Sequence, residues 1–208
     1  MKKISTLYKK DPSDLGRVIN ETNPENEWVF KSGIPTRKFD GTSCAIIEGE
    51  LYKRFDLKKG RALPPNAIPC QEPNTKSGHH PHWVRCERED KSNKWHFEGF
   101  DNLECKADGT YELCGEKVQG NFENIQGHKL IRHGSEILSI SDFSFDSLKS
   151  FLQIADVEGI VFHDSETDKM CKIRKSDFGI KRKKVTYIAE IDFLNEKSRY
   201  NSKGPFYF

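Results

Sequence analysis

A lysine and an aspartate stand two residues apart in the segment Lys38-Phe39-Asp40-Gly41. The lysine amine is a nucleophile only after it has lost its proton, and the pKa of the free side chain is about 10.4. The aspartate adds a carboxylate that can orient a metal ion or a hydroxyl group. Taken alone, so short a pattern is more typical of a surface salt bridge beside a turn. Its meaning therefore depends on the charged groups found elsewhere in the chain.

Four further segments place charged groups on candidate strands. Arg54 lies on the return strand of a predicted hairpin, and Glu112 begins an E-L-x-G sequence. Glu158 opens a β-branched strand with a glycine beside it. Lys172-Ile173-Arg174 places two cations on one face of a strand, because side chains alternate between faces. The order of these segments after Lys38 is more informative than any one of them.

The elements that must position these groups are mostly strands. Residues 43–47 and 51–55 flank a short polar turn and predict a β-hairpin. Apolar residues recur at helical spacing after Ser144, which predicts a capped helix from 145 to 155. Other strands are predicted at residues 110–113, 130–131, 159–163, 170–174 and 185–193.

The pattern as a whole predicts an α+β fold built on antiparallel sheets with flanking helices. Prolines spread over residues 61–78 predict a long loop, because proline cannot donate to a central ladder. We expect a single domain over residues 1–208. Within it, residues 1–33 form a less specific N-terminal segment and residues 195–208 a C-terminal tail.

Composition limits the possible classes of protein. The chain has 208 residues, 24.0 kDa and a net charge of +2, so a general attraction for nucleic acid is not evident. No apolar stretch has the length of a membrane span, and the N-terminus lacks an apolar signal core. Six cysteines without a C-x-x-C pair indicate reduced thiols. We therefore expect an intracellular protein, cytoplasmic or nuclear and not secreted, with no membrane partner.

In this order the segments resemble the covalent nucleotidyltransferase superfamily, and the resemblance runs from Lys38 to about Gly179. More narrowly, the chain resembles the stand-alone ATP-dependent RNA 5′-to-3′ ligases of eukaryotes and their viruses. The segments that carry this narrower likeness are Ile34-Pro35-Thr36, Trp83-Val84, Glu112-Leu113-Cys114-Gly115 with Gly120-Asn121, Leu130-Ile131-Arg132-His133-Gly134 and Val157-Glu158-Gly159-Ile160-Val161. The resemblance implies one nucleotidyltransferase domain of the ATP-grasp-like ligase adenylation type, without an OB-fold domain.

The resemblance also implies a three-step reaction with ATP and Mg²⁺, for which Mn²⁺ is an alternative. Lys38 would attack the α-phosphorus of ATP and expel pyrophosphate, AMP would move to an RNA 5′-phosphate, and a 3′-hydroxyl would displace it. Lys172 and Arg174 would lower the pKa of Lys38 and offset charge on the phosphates. Glu158 would hold the metal, which prefers oxygen ligands. Asp40 would act in AMP transfer and sealing.

The remaining implied roles concern the nucleotide and the RNA. Arg54 would contact the bound nucleotide or the RNA phosphate, Glu112 the ribose hydroxyls, and either Ile131 or His133 the adenine ring. The basic run Lys181-Arg182-Lys183-Lys184 is either a solvated face or a track for RNA phosphates. The expected partner is RNA with 5′-phosphate and 3′-hydroxyl ends, and no obligate protein partner is evident.

The last motif departs from the family pattern. Related ligases usually have K-x-K, whereas this chain has Lys172-Ile173-Arg174-Lys175, so the second cation is either Arg174 or Lys175. A separate group of histidines, His79, His80 and His82, could bind zinc with Cys86. Its spacing matches no compact zinc signature, which favours polar loop histidines.

Three alternatives to an RNA ligase stay open. A capping-type guanylyltransferase or a DNA ligase-like adenylyltransferase would normally carry an OB-fold domain after the last motif, and fewer than forty residues follow Lys172. A non-catalytic nucleotide- or RNA-binding module is the third, and the presence of Lys38 argues against it. The choice between ATP and GTP depends on the geometry of the nucleotide site.

Overall fold

The computed structural model describes residues 4–58, 60–74 and 78–184, and within them the fold is α+β with mostly antiparallel sheets and few helices. The strands are β1 (Ser5–Thr6), β2 (Tyr8–Lys10), β3 (Val18–Thr22), β4 (Gly33–Lys38), β5 (Thr42–Ile47), β6 (Glu50–Leu57), β7 (Ile68–Pro69), β8 (His80–Arg85), β9 (Gly109–Gly115), β10 (His128–Arg132), β11 (Gly159–Asp164) and β12 (Met170–Arg174). The helices are α1 (Val29–Ser32), α2 (Lys94–Asp101) and α3 (Phe145–Ile154), with short 3₁₀ turns at Pro24–Asn26, Lys91–Asn93 and Lys175–Phe178. The strand predicted at 185–193 and the tail 195–208 lie outside the described residues.

A four-stranded sheet has the order β1-β12-β11-β4, in which β1 runs parallel to β12 and the other neighbours are antiparallel. One face of this sheet is apolar, because alternate residues such as Ile160, Phe162 and Ile173 are fully buried. That face packs against Leu148 and Leu152 of α3. The predicted helix is confirmed. The opposite face of the four-stranded sheet is polar and is left free to line a site.

A six-stranded antiparallel sheet has the order β10-β9-β5-β6-β8-β7. Its buried face contains Cys44, Ile46, Leu51 and Leu113 and packs against Phe100 of α2. The predicted hairpin is confirmed as β5 and β6, with Ile47 paired to Glu50. Its two-residue turn has positive φ at both positions, which matches the right-handed twist of the strands. This sheet also has one apolar and one more polar face.

The structure describes the N-terminal segment and corrects one expectation, the placement of the histidines in a loop. The N-terminal segment belongs to the core, since Leu7 is fully buried, Tyr8 is buried and β1 extends the four-stranded sheet. His80 and His82 lie on strand β8 and not in a loop. The described part of the chain contains no cluster of three or more His, Cys, Asp or Glu side chains able to hold a metal ion.

No helix in the described ranges combines the length and the apolar character needed to cross a bilayer, the longest being the ten residues of α3.

Candidate active site between the two sheets

A cleft of about 290 Å³ lies between the two sheets and is lined by side chains from both of them. The six-stranded sheet contributes Ser43, Arg54 and Glu112. The lining residues on the other side come from the four-stranded sheet: Thr36, Arg37, Lys38, Val161, His163, Met170 and Lys172. Five residues predicted from sequence to act together therefore line one cleft: Lys38, Arg54, Glu112, His133 and Lys172.

Lys38 is the last residue of β4, and its backbone pairs with Gly159 at the start of β11. The Lys38 Nζ donates a hydrogen bond of 2.5 Å to Glu158 Oε2, and each side chain is 23% exposed. Burial raises the pKa of the Glu158 carboxyl, although the positive charge of Lys38 opposes that effect. The structure thus joins the two residues that the sequence predicted as nucleophile and metal ligand.

Two glycines allow the chain to pass close to other backbone around Lys38. A Cβ atom at Gly41 would lie 2.2 Å from the Leu113 carbonyl oxygen, and one at Gly159 would lie 2.4 Å from the Ile173 carbonyl oxygen. Both distances are far below van der Waals contact, so any other residue would force the strands apart. The glycine of the K-x-D-G segment is therefore required by packing against β9.

Lys172 projects from the cleft face of β12, two residues from Arg174 on the same face. Burial, together with the charges of Arg174 and Lys38, lowers the pKa of Lys172 to about 8. Lys175 begins a 3₁₀ turn and is buried beyond the strand, away from the lining of the cleft. Of the two candidates for the second cation, only Arg174 shares a strand face with Lys172.

Arg174 is held in place by Asp177, a residue that sequence reasoning missed. The Asp177 carboxylate is fully buried and accepts hydrogen bonds from the Arg174 backbone amide, Nε and Nη2. Lys10 Nζ donates to the same carboxylate at 2.6 Å. Asp177 therefore connects the N-terminal segment to the last strand of the four-stranded sheet.

Glu112 and His133 both line the cleft and are joined by a hydrogen bond. His133 Nε2 lies 2.9 Å from Glu112 Oε2, and His133 Nδ1 lies 2.9 Å from the Thr110 hydroxyl. Ile131 pairs with Glu112 in the ladder but is not among the residues lining the cleft. Of the two candidates for contact with a base, the structure places only His133 in the cleft.

Arg54 projects into the cleft from β6 and donates a hydrogen bond of 3.1 Å from Nε to Asp56 Oδ1. Its side chain is 18% exposed, so most of it is covered while the guanidinium keeps further N–H donors. A guanidinium in this position suits a phosphate group, which it can bind through two parallel hydrogen bonds.

Two polar atoms in the cleft were not recognised from the sequence. The Ser43 hydroxyl and the His163 Nε2 are buried and have no hydrogen-bond partner within the described residues. Burial lowers the pKa of His163, and neighbouring His133 lowers it further. Buried polar groups nearly always have partners, which a ligand in the cleft would supply. Only the folded chain identifies these two, because isolated Ser and His residues carry no sequence signal.

Asp40 lies just beyond Lys38 and is anchored through its backbone. The Asp40 amide donates a hydrogen bond of 2.9 Å to Glu123 Oε1, and Arg182 Nη1 lies 3.9 Å from Asp40 Oδ2. The Arg182 side chain is 8% exposed, so this member of the basic run is largely covered and does not belong to a solvated face. Lys181, Lys183 and the other member of that run, Lys184, are exposed, and Lys184 donates to the Gly120 carbonyl.

The residues present fit a divalent metal only in a limited way. Glu158 contacts Lys38 but is not itself among the residues that line the cleft, and the described residues supply no cluster of three ligands around it. Mg²⁺ is commonly held by one or two carboxylates, with substrate phosphates and water as its other ligands. Glu158 fits that mode of binding, whereas a metal held by protein groups alone does not fit.

Together, the two sheets and the cleft define an α+β protein with a lysine, a carboxylate and several cations facing one ligand-sized space. No protein-family model matches this sequence, and no curated protein matches it either.

Proposed function

We propose that the protein is an ATP-dependent RNA ligase of the covalent nucleotidyltransferase type, with the fold of a ligase adenylation domain. It would join RNA 5′-phosphate and 3′-hydroxyl ends through a lysyl-AMP enzyme and an adenylated RNA. The observation that supports this most is the position of Lys38, which lines a cleft with Lys172 and contacts Glu158 at 2.5 Å. Small-molecule sites have volumes of about 300–1,000 Å³, and the volume of this cleft lies near the lower end of that range.

In the first step, the Lys38 Nζ lone pair forms a bond to the α-phosphorus of ATP. The bond from this phosphorus to the bridging oxygen breaks, and pyrophosphate leaves with that electron pair. The Nζ ammonium loses one proton to solvent before the attack and a second after it, so that the phosphoramidate keeps one N–H. Glu158, which accepts the Nζ hydrogen bond in this structure, holds the amine beside the cleft until the nucleotide arrives. A bound Mg²⁺ would be held by Glu158 and would supply positive charge against the phosphate oxygens.

Two cations in the cleft are placed to offset charge on the phosphates. Lys172 and Arg54 approach the cleft from opposite sheets, so a triphosphate between the sheets would meet positive charge on both sides. Arg174 adds charge from the same strand face as Lys172, with its guanidinium held by Asp177. Such fixed cations need no rearrangement as the reaction proceeds, which is the usual source of electrostatic catalysis.

The rest of the cleft suits a nucleoside. Glu112 accepts hydrogen bonds and is oriented by His133, which makes it a suitable acceptor for ribose hydroxyls. Val161 lies two residues beyond Gly159 on β11 and offers an apolar surface to a base. The His163 Nε2, which has no hydrogen-bond partner in the part of the chain that the structure describes, lies two residues further along the strand. At about 3.3 Å per residue, His163 would lie near the far edge of a base whose phosphate is at Lys38.

The second and third steps transfer AMP to the RNA 5′-phosphate and then displace it with a 3′-hydroxyl. Asp40 is assigned to these steps, because its carboxylate lies close to Lys38 and is 30% exposed. Lys181, Lys183 and Lys184 are exposed cations that would contact RNA phosphates, an interaction that weakens with salt. We propose RNA as the substrate in preference to DNA because the sequence resembles the stand-alone ATP-dependent RNA ligases.

The decisive experiment is self-labelling of the purified protein with α-labelled ATP and Mg²⁺, followed by a denaturing gel. The protein is first freed of any bound AMP, and GTP serves as a parallel donor. Lys38→Ala is compared with Lys31→Ala, which removes an exposed lysine of α1. Labelling with ATP that only Lys38→Ala abolishes supports the proposal. Labelling of Lys38→Ala removes the nucleophile assignment.

Two other outcomes would redirect the assignment. Labelling by GTP and not ATP favours a capping-type guanylyltransferase. No label from either nucleotide in folded protein favours a non-catalytic nucleotide- or RNA-binding module. If ATP labels the protein, nicked RNA and nicked DNA with 5′-phosphate ends are compared as substrates, and sealing of DNA alone favours the DNA ligase-like alternative.

A further inference from the structure

A buried carboxylate contacts the backbone of the K-x-D-G segment, residues 38–41. The Glu123 side chain is 2% exposed and belongs to the loop between β9 and β10. Its Oε1 accepts hydrogen bonds from the Asp40 amide at 2.9 Å and from Arg182 Nη1 at 2.8 Å. Its Oε2 accepts from Arg37 Nη2 at 2.6 Å. One carboxylate thus receives three donors from three separate parts of the chain.

Arg182 fills the space beside this carboxylate. Besides Glu123, it donates from Nη2 to the Phe122 carbonyl at 3.2 Å and to Asp156 Oδ1 at 3.5 Å. Its guanidinium also lies over the Phe122 ring, 5.5 Å from the centroid. The neighbouring Lys181 and Lys183 are exposed, so Arg182 is buried whereas the residues on either side of it are not. A buried charge is costly unless its partners are well placed, so a role of the buried Arg182 is expected to lie in the contacts that it makes.

We propose that Glu123 and Arg182 form a positioning pair for Asp40, which couples the chain beyond β12 to the loop that follows Lys38. The pair acts in two ways. Glu123 fixes the backbone of Asp40 through its amide, and Arg182 places a positive charge 3.9 Å from the Asp40 carboxylate. The inference rests on the proposed function only in that Asp40 is assigned to AMP transfer and sealing.

The charges around this pair explain why neither partner can be removed without consequence. Burial by itself raises the pKa of Glu123, but hydrogen bonds from Arg182 and the Asp40 amide bring it below its usual range. Without Arg182, the ionised Glu123 and Asp40 would face each other with less compensating charge. We therefore expect the Asp40 carboxylate to move away from Glu123 and out of its working position.

The test separates the three reaction steps in the full-length protein. Lysyl-AMP formation, AMP transfer to RNA and sealing of pre-adenylated RNA are timed individually for wild type and Arg182→Gln. The control is Arg88→Gln, because Arg88 also pairs with a carboxylate through two hydrogen bonds but is 58% exposed. We expect Arg182→Gln to slow sealing by about ten- to a hundredfold, with a smaller effect on lysyl-AMP formation. Arg88→Gln should stay within twofold of wild type.

A double-mutant cycle then connects the effect to Asp40. If Arg182 acts through Asp40, sealing by Asp40→Asn with Arg182→Gln is no slower than sealing by Asp40→Asn alone. Arg182→Lys should restore part of the rate, since a lysine keeps the charge but not the two-pronged geometry. Sealing at the wild-type rate by Arg182→Gln, or slowing that adds fully to that of Asp40→Asn, overturns the inference.

Hydrogen exchange gives a readout that does not depend on activity. The Asp40 amide should exchange faster in Glu123→Gln and in Arg182→Lys than in wild type, while amides of α2 stay unchanged. If the wild-type protein forms no lysyl-AMP, the proposed function fails and this measurement still decides the positioning pair. Unchanged exchange at Asp40 in both variants would reject the pair even in an active ligase.

Discussion

Lys38 and Glu158 are separated by 120 residues in the chain and are joined by a hydrogen bond of 2.5 Å. Lys38 ends β4, and Glu158 immediately precedes β11, the neighbouring strand in the four-stranded sheet, where Lys38 pairs with Gly159. In the free protein the ammonium and the carboxylate therefore offset each other's charge. A nucleotide entering the cleft would find an amine that is already held in position, and would have to replace this contact with its own phosphate.

Replacement of Glu158 should strongly reduce nucleotide transfer to Lys38. Glu158→Gln keeps the size of the side chain but removes the negative charge that we propose binds a metal ion, so we expect lysyl-AMP formation to fall on the order of 10²-fold or more at saturating Mg²⁺. Initial rates of self-labelling measure this. The matched control is Glu166→Gln, an exposed glutamate in the turn after β11. Unchanged labelling in Glu158→Gln would mean that the metal is held elsewhere.

The affinity for ATP should depend on pH through Lys172. Its pKa is lowered to about 8 by burial and by the charges of Arg174 and Lys38, while Asp177 and Glu158 oppose the shift. Below this pH Lys172 is charged and attracts phosphate, and above it the charge is lost. The dissociation constant should therefore be level below pH 8 and rise by up to about tenfold per pH unit above it.

This pH dependence is measured by titration with an ATP analogue that has a non-cleavable α,β-bridge. Lys172→Arg is the informative variant, because arginine keeps its charge throughout the range. Its dissociation constant should stay level from pH 7 to 9.5. A rise above pH 8 of equal size in both proteins would assign the titration to another group.

Removal of the Asp177 carboxylate should destabilise the fold. Asp177 is fully buried, while its partners Lys10 and Arg174 have side chains that are 29% and 33% exposed and can gain some hydration. We therefore expect Asp177→Ala to lower the free energy of unfolding by about 2–4 kcal/mol, less than for a wholly buried pair. Urea denaturation at pH 7 measures the change.

The exposed pair between Lys9 and Glu21 is the natural control for Asp177. Its hydrogen bond has the same length of 2.6 Å, but both side chains are about half exposed. Glu21→Ala should therefore change the free energy of unfolding by less than about 1 kcal/mol. Equal effects of the two substitutions would contradict the buried arrangement of Asp177.

The contact between α3 and the four-stranded sheet can be tested within a single helix. Leu148 is fully buried, so Leu148→Ala should lower the free energy of unfolding by about 2–5 kcal/mol. Ile154 on the same helix is 89% exposed, and Ile154→Ala should change it by less than about 0.5 kcal/mol. Guanidinium denaturation of both variants checks this. A small effect at Leu148 would mean that α3 packs with a different face.

Local patterns were enough to predict several elements. The hairpin of β5 and β6, the helix α3 and the strands β9 to β12 follow from alternation, helical spacing and turn residues, all of which act within a few positions. The short strands β1 to β3 were missed because charged and turn residues interrupt them. Strand β8 was missed because it contains Pro81, and prolines are uncommon in strands that lie between two others, as β8 does.

The sequence by itself determined which residue types are available for chemistry: a lysine before an aspartate and a glycine, a glutamate before a strand, and a final pair of cations. Only the tertiary structure decided that Lys38 contacts Glu158, that Arg182 is covered by Glu123 and that Ser43 faces the cleft. These relationships join residues from separate strands and loops. They depend on how two sheets pack, which is a property of the whole chain and not of any local pattern.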